Sequence, residues 1–153
     1  MTDVLTEEQR RLVMSRNGPR DTKPEMIVRR GLHALGLRYR LQDRRLPGRP
    51  DLVFAAPRVV VFVHGCFWHA HGCRLSKMPQ SRPDFWASKL AANTARDAKA
   101  VAELQAQGWR VLIVWECAMR GPGRLERIDM LMSAAEYIRD GTSPLLELRG
   151  RLH

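Results

Sequence analysis

DLVFAAPRVVVFVHG, residues 51–65, decides the fold. It holds two apolar runs broken only by Ala56-Pro57, the pattern of a β-hairpin. The second run is continuous rather than alternating, as expected of a central strand buried on both faces. A third apolar run, WRVLIVWEC, spans 109–117. Between the long runs, residues 84–107 (DFWASKLAANTARDAKAVAELQAQ) read as a helix capped by Asp84 and ended by Gly108. A helical crossover between two apolar strands places them parallel.

Further out, Thr22 ahead of Pro24 and Glu25 marks a helix start, and Gly36 stops that helix after Leu35. Residues 5–16 read as a short helix begun at Thr6, and 17–23 as a Gly/Pro break. Residues 37–49 read as basic, extended and turn-rich, and 74–83 as a loop. A last helix is expected from about Gly123 to Arg139, followed by a loose tail. The sum is an α/β single domain: a three-layer sandwich, with a mixed sheet and helices on both faces. Its divisions are an N-terminal arm (1–22), a folded body (23–140) and a C-terminal tail (141–153).

The chain has 153 residues, enough for one domain with a sizeable core. No apolar run approaches the roughly 20 residues that cross a bilayer. The opening MTDVLTEEQRR has no apolar segment of the signal-peptide kind, so a cytoplasmic location is expected. Three cysteines, an odd count, argue against a disulfide framework and leave room for a metal. With 26 Lys and Arg against 16 acidic residues, the net charge of +10 suggests a polyanionic partner, most simply nucleic acid. Residues 1–58 hold 13 of those basic residues against 7 acids, and most are Arg, which suits bidentate phosphate contacts.

Parallel strands bring Cys66 and Cys117, each just past a strand end, to one edge of the sheet. Cys73 lies in the loop after Cys66, as do His69 and His71. Cys66, His71, Cys73 and Cys117 form a Cys3His set, the composition of a closed structural zinc site. Spacing alone does not choose His71 over His69. A three-ligand zinc with an open position is the competing arrangement, and the fourth thiolate argues against it. Buried small apolar cysteines are the bland alternative.

The hairpin also carries Asp51 to the neighbourhood of Val63 and His64. A carboxylate beside histidines at a sheet edge suits Mg2+ and a general base, the requirements of phosphodiester hydrolysis. A turn-capping Asp51 and a satisfied buried His64 are the alternatives.

GRPDLVF (48–54), VVVFVHGCFWHAHGC (59–73), GWRVLIVWEC (108–117) and MSRNGPRDTKPE (14–25) resemble the very short patch repair (Vsr) endonucleases. The resemblance covers about residues 10–120. It implies a PD-(D/E)xK restriction-endonuclease-like nuclease domain that nicks DNA 5' to the thymine of T:G mismatches left by deamination of 5-methylcytosine. It implies Asp51 as the Mg2+ carboxylate with the Val63 carbonyl beside it, His69 as general base, and His64 and Glu25 in support. It implies Cys66, His71, Cys73 and Cys117 as the structural Zn2+ ligands. The (D/E)xK triplet falls on Phe62-Val63-His64, so base duty shifts to His69. Val63 departs from the Thr common there in the family, and Ala70 and Gly72 shorten its histidine run.

Phe67 and Trp68 follow Cys66 directly, and Trp86 opens the long helix. Rings on a stapled loop can wedge between base pairs, most cheaply at a mismatch. The resemblance implies intercalation by Phe67, Trp68 and Trp86 from the major groove and entry of Met14 from the minor groove. Trp86, Lys89, Asn93 and Arg96 share a helix face, with Leu90, Val101 and Leu104 opposite. Read with the resemblance, Lys89 and Asn93 are mismatch readers; alone, the stripe reads better as a solvated face. Trp109 and Trp115 read as packing residues. The implied partners are mismatched double-stranded DNA, a cytosine-5 methyltransferase and repair proteins, with the chain itself a monomer. A zinc-dependent DNA-binding module without catalysis and a nuclease acting on other DNA are the alternative functions.

Overall fold

The computed structural model describes residues 22–41, 43–73 and 78–151. The expected 5–16 helix, with Met14, lies outside the described residues. Helix α1 (Lys23–Ala34) starts where the sequence places it, with the Thr22 hydroxyl accepting from the Glu25 amide at 3.3 Å. Val28 and Leu32, one turn apart, form its buried stripe.

The sheet runs in the order β1 (Arg40–Leu41), β2 (Leu52–Phe54), β3 (Val59–His64), β4 (Arg110–Trp115), β5 (Leu145–Leu148). β2 and β3 form the expected antiparallel hairpin, with Leu52 opposite Val61 and Phe54 opposite Val59. β3 and β4 are parallel in register from Val59–Arg110 to His64–Trp115. Residues Val59 to Phe62 are buried, consistent with a strand covered on both faces.

Two strands depart from expectation. β1, placed in a stretch read as irregular, is two exposed residues held antiparallel to β2, too short and too charged to show a strand period. The expectation of a loose tail is overturned: β5 pairs parallel with β4, from Val111–Leu145 to Val114–Leu148. LLEL lacks alternation because this edge strand is only partly buried along its whole length.

Helix α2 (Pro83–Ala106) makes the crossover. Asp84 does not cap it. The cap position belongs to Arg82, in the left-handed region at φ 55°, with Pro83 opening the helix; Asp84 sits in the first turn, where its charge complements the helix dipole. Helix α3 (Arg127–Asp140) begins four residues later than expected, because 121–126 are spent in turns.

α1 and α3 cover one face of the sheet, packing Leu32, Met130, Ala134 and Ile138 on Val59, Val61, Leu112 and Val114. α2 covers the other, with Leu104 and Trp109 on Val60, Phe62, Val111 and Ile113. The three layers expected from the sequence are therefore present. Among the described residues, no helix is long and apolar enough to cross a membrane.

Candidate metal centre and catalytic cleft

The parallel register of β3 and β4 ends at His64 and Trp115, so the chain leaves both strands at one edge. Cys66 and Cys117 lie just past that edge, and the tight 65–71 loop, closed by the His71 amide on the Cys66 carbonyl at 2.9 Å, returns His71 and Cys73 to them. One donor atom from each of Cys66, His71, Cys73 and Cys117 lies within 4.8 Å of the others. The Cys117 sulfur is 3.6 Å from His71 Nδ1, and the Cys117 amide donates to the Cys66 sulfur at 3.3 Å. Burial pushes the Cys66 and Cys117 thiols above their ordinary range. Three soft sulfurs and an imidazole at this separation fit a tetrahedral cation, whose charge would favour the thiolates. Of the two histidines left open by spacing, the geometry brings His71 into the cluster.

His69 turns the other way, into a cleft of about 930 Å3. Its Nδ1 meets Asp97 Oδ2 on α2 at 2.5 Å, and its ring stacks on His64, centroids 3.7 Å apart and planes 5° from parallel. His64, His69 and Asp97 also gather donor atoms within 4.8 Å. Stacked imidazoles hold their lone pairs in separate parallel planes, however, whereas one shared ion at about 2.1 Å from each nitrogen needs planes that converge. His64 is 6% exposed, and its Nδ1 has no hydrogen-bond partner. Burial, with His69 and His71 nearby, drives its pKa well below the ordinary histidine value.

Across the cleft the hairpin sets Asp51 Oδ2 2.7 Å from the Val63 amide, which donates to it. Asp51 also adjoins buried Glu25, which pairs with Arg29 at 3.3 Å. Burial, and after it the Glu25 charge, raise Asp51 to about 7, against the lowering effect of the Val63 amide. Two adjoining carboxyls with this poise are hard oxygen donors of the kind that fit a divalent cation.

Two residues here went unread in the sequence. Asp97 sits one turn beyond Asn93 on the face already singled out, and that spacing was the available signal. Glu116 accepts from the Cys66 amide at 3.2 Å and from Arg120 at 2.6 Å, a role only the β3–β4 register reveals.

A family profile described as DNA mismatch endonuclease Vsr matches residues 2–75. The chain is 42% identical over 151 residues to the DNA mismatch endonuclease Vsr of Escherichia coli K12, covering 98% of this chain and 97% of that one. It is 51% identical over 126 residues to the type II nicking enzyme V.XorIIP of Xanthomonas oryzae pv. oryzae, covering 82% and 93%. The chain belongs to the Vsr family.

In this Vsr-family chain the rings expected to meet DNA form one cluster at the cleft mouth. Phe67 and Trp68 are half-buried and line the cleft; Trp86 stands behind them, 5% exposed, its indole N–H without a partner. Each pair meets edge to face, with centroids 5.1 to 5.8 Å apart. Trp86 is thus buried rather than on the open stripe with Lys89, Asn93 and Arg96, which line the cleft. Val101, expected on the core side, lines it too, while Leu90 and Leu104 are buried as expected. Asn93 donates to the Trp68 carbonyl at 2.9 Å and accepts from Arg96 at 2.8 Å, tying the aromatic loop to α2. Trp109 and Trp115 pack in the core, and Trp115 also stacks on His71 at 4.0 Å.

Proposed function

We propose that this chain is a Mg2+-dependent endonuclease that nicks one strand of double-stranded DNA 5' to the thymine of T:G mismatches, initiating very short patch repair. The observation that carries the reading is a single cleft lined by Asp51, with Glu25 buried beside it, and by His64, His69 and Asp97. The named relatives support the mismatch substrate.

Asp51, with the Val63 carbonyl, would hold Mg2+, with Glu25 in support of its hydration shell; the ion would supply charge neutralisation at a scissile phosphate. Asp97 engages His69 Nδ1, leaving Nε2 as the free lone pair to accept a proton from the attacking water. His64, kept neutral by burial, backs the His69 ring without placing a positive charge beside the one His69 gains on accepting the proton. Phe67 and Trp68 intercalate beside the T:G pair from the major groove, with Trp86 behind them, and Lys89 and Asn93 read the mismatch edge. Met14 enters from the other groove. Zn2+ on Cys66, His71, Cys73 and Cys117 holds the loop that presents both the rings and His69.

The sheet and cleft suit a PD-(D/E)xK restriction-endonuclease-like nuclease, with Phe62-Val63-His64 standing where the acid and lysine usually lie. The protein acts as a cytoplasmic monomer beside a cytosine-5 methyltransferase and later repair proteins. A nicking assay on T:G, C:G and other mismatched duplexes, with and without Mg2+, tests this. Mg2+-dependent nicking of T:G alone is expected, and it disappears in Asp51→Ala while duplex binding persists. Equal cleavage of C:G, or full activity of Asp51→Ala, would reject the assignment.

A further inference from the structure

β5 runs parallel to β4 and carries the chain back to the edge where Cys117 sits. Just beyond it, the buried Gly150 amide donates to the Cys117 sulfur at 3.3 Å. A Cβ at position 150 would stand 2.5 Å from the Cys117 carbonyl oxygen and 3.0 Å from that of Gly123, so only glycine makes this approach without a shift. Arg151 then donates its amide to Gly123 at 2.8 Å. Earlier in the same segment, Glu147 accepts the Trp115 indole N–H at 2.9 Å, its other oxygen held by Arg149 at 2.9 Å. Trp115 in turn lies flat on the His71 ring, 8° from parallel. One short segment therefore reaches two of the four clustered donors, Cys117 directly and His71 through Trp115.

Groups around a ligand set orient it and tune its affinity. A metal-bound thiolate accepts an N–H more strongly than a thiol does. We propose that residues 145–151 form the outer shell of the Cys66–His71–Cys73–Cys117 site, so that cation loading and docking of the C-terminal strand are thermodynamically linked. The proposal rests on the reading of that cluster as a Zn2+ site. Linkage is reciprocal: the cation holds the strand on the sheet, and loss of the strand's contacts weakens the cation. Gly150 and Glu147 are positioning residues in this scheme.

The test uses the full-length protein with Zn2+ as probe, competed against a chromogenic chelator, and trypsin cleavage at Arg149 and Arg151 with Zn2+ or with EDTA. Gly150→Ala is expected to lower Zn2+ affinity about 10- to 100-fold, the usual range for an outer-shell partner. Because a Cβ at 150 also meets backbone, Glu147→Ala and Glu147→Gln provide a milder pair. The alanine lowers affinity, and the glutamine, which still accepts the indole N–H, restores most of it. Tryptic cutting of the wild-type tail should slow with Zn2+. Wild-type uptake of one Zn2+, with unchanged affinity in Gly150→Ala and Glu147→Ala and Zn2+-independent cutting, overturns the linkage and leaves the cluster reading intact. No Zn2+ uptake by the wild type overturns the cluster reading, and the linkage with it.

Discussion

His64 and His69 lie face to face, 3.7 Å apart, with Asp97 closing on Nδ1 of His69. The stack fixes one plane of the His69 ring, and the carboxylate fixes its rotation within that plane. A general base held in both senses loses little entropy in reaching its proton.

Asp97→Asn tests that arrangement. The amide keeps the shape but no longer forces the Nδ1–H tautomer of His69. Nicking is expected to fall roughly 10²-fold, within the 10²–10⁴ that a positioned general base contributes, with mismatch affinity and melting temperature little changed. A rate within twofold of wild type would remove Asp97 from the mechanism.

The carboxyl pair predicts a pH signature in the metal-free protein. Asp51 rises from 3.8 to about 7 on folding, so the folded state binds its proton more tightly than the unfolded state does. The sign follows: the contribution is fully favourable below pH about 4, is lost as pH rises through about 7, and is flat above. Asp51→Asn removes the penalty. In EDTA it should melt above wild type at pH 8, with the gap closing by pH 4, while nicking is abolished. A constant gap across that range would show that Asp51 is not destabilised by Glu25 and burial.

Much of this was legible in the sequence because the hydrophobic pattern and the chemistry coincide. Continuous apolar runs at 59–64 and 110–115 specify parallel central strands, and Cys66 and Cys117 each fall two residues past a strand end, so their meeting follows from topology. What escaped were partners set by tertiary approach. Asp97 reads as one more charge on a solvated helix until the 65–71 loop is folded against α2. β5 has no strand period because neither of its faces is fully covered. Trp86 sits on the same helical stripe as Lys89, yet the loop rings bury it, which helix periodicity cannot foresee.

That burial separates the three rings by substitution. Trp86→Ala should cost about 3–5 kcal/mol of stability, as buried aromatic truncations do. Trp86→Phe should cost far less, since it deletes an N–H that is buried without a partner. Trp68→Ala, at a half-buried position, should instead weaken mismatched-duplex binding by about 10-fold, the lower range of 1–3 kcal/mol per stacked base, with a smaller loss of stability. Thermal melts and fluorescence-anisotropy titrations distinguish the two patterns; equal effects at 68 and 86 would mean that both rings serve as wedges.

Gly48 controls how closely α2 approaches the hairpin, and so where Asp97 stands. It adopts φ +75°, and a Cβ there would lie 2.7 Å from the Ala100 methyl and 3.2 Å from the Phe62 ring. Ala100 follows Asp97 by three residues on α2, so pushing it away moves the carboxylate from His69. Gly48→Ala should therefore destabilise by about 1–3 kcal/mol through crowding, with about 1 kcal/mol more from the left-handed backbone, and slow nicking more than it weakens binding. Adding Ala100→Gly relieves the crowding but not the backbone strain. The double variant should recover the nicking rate while regaining only part of the stability. Recovery of stability without recovery of rate would show that the position of α2 does not set the base.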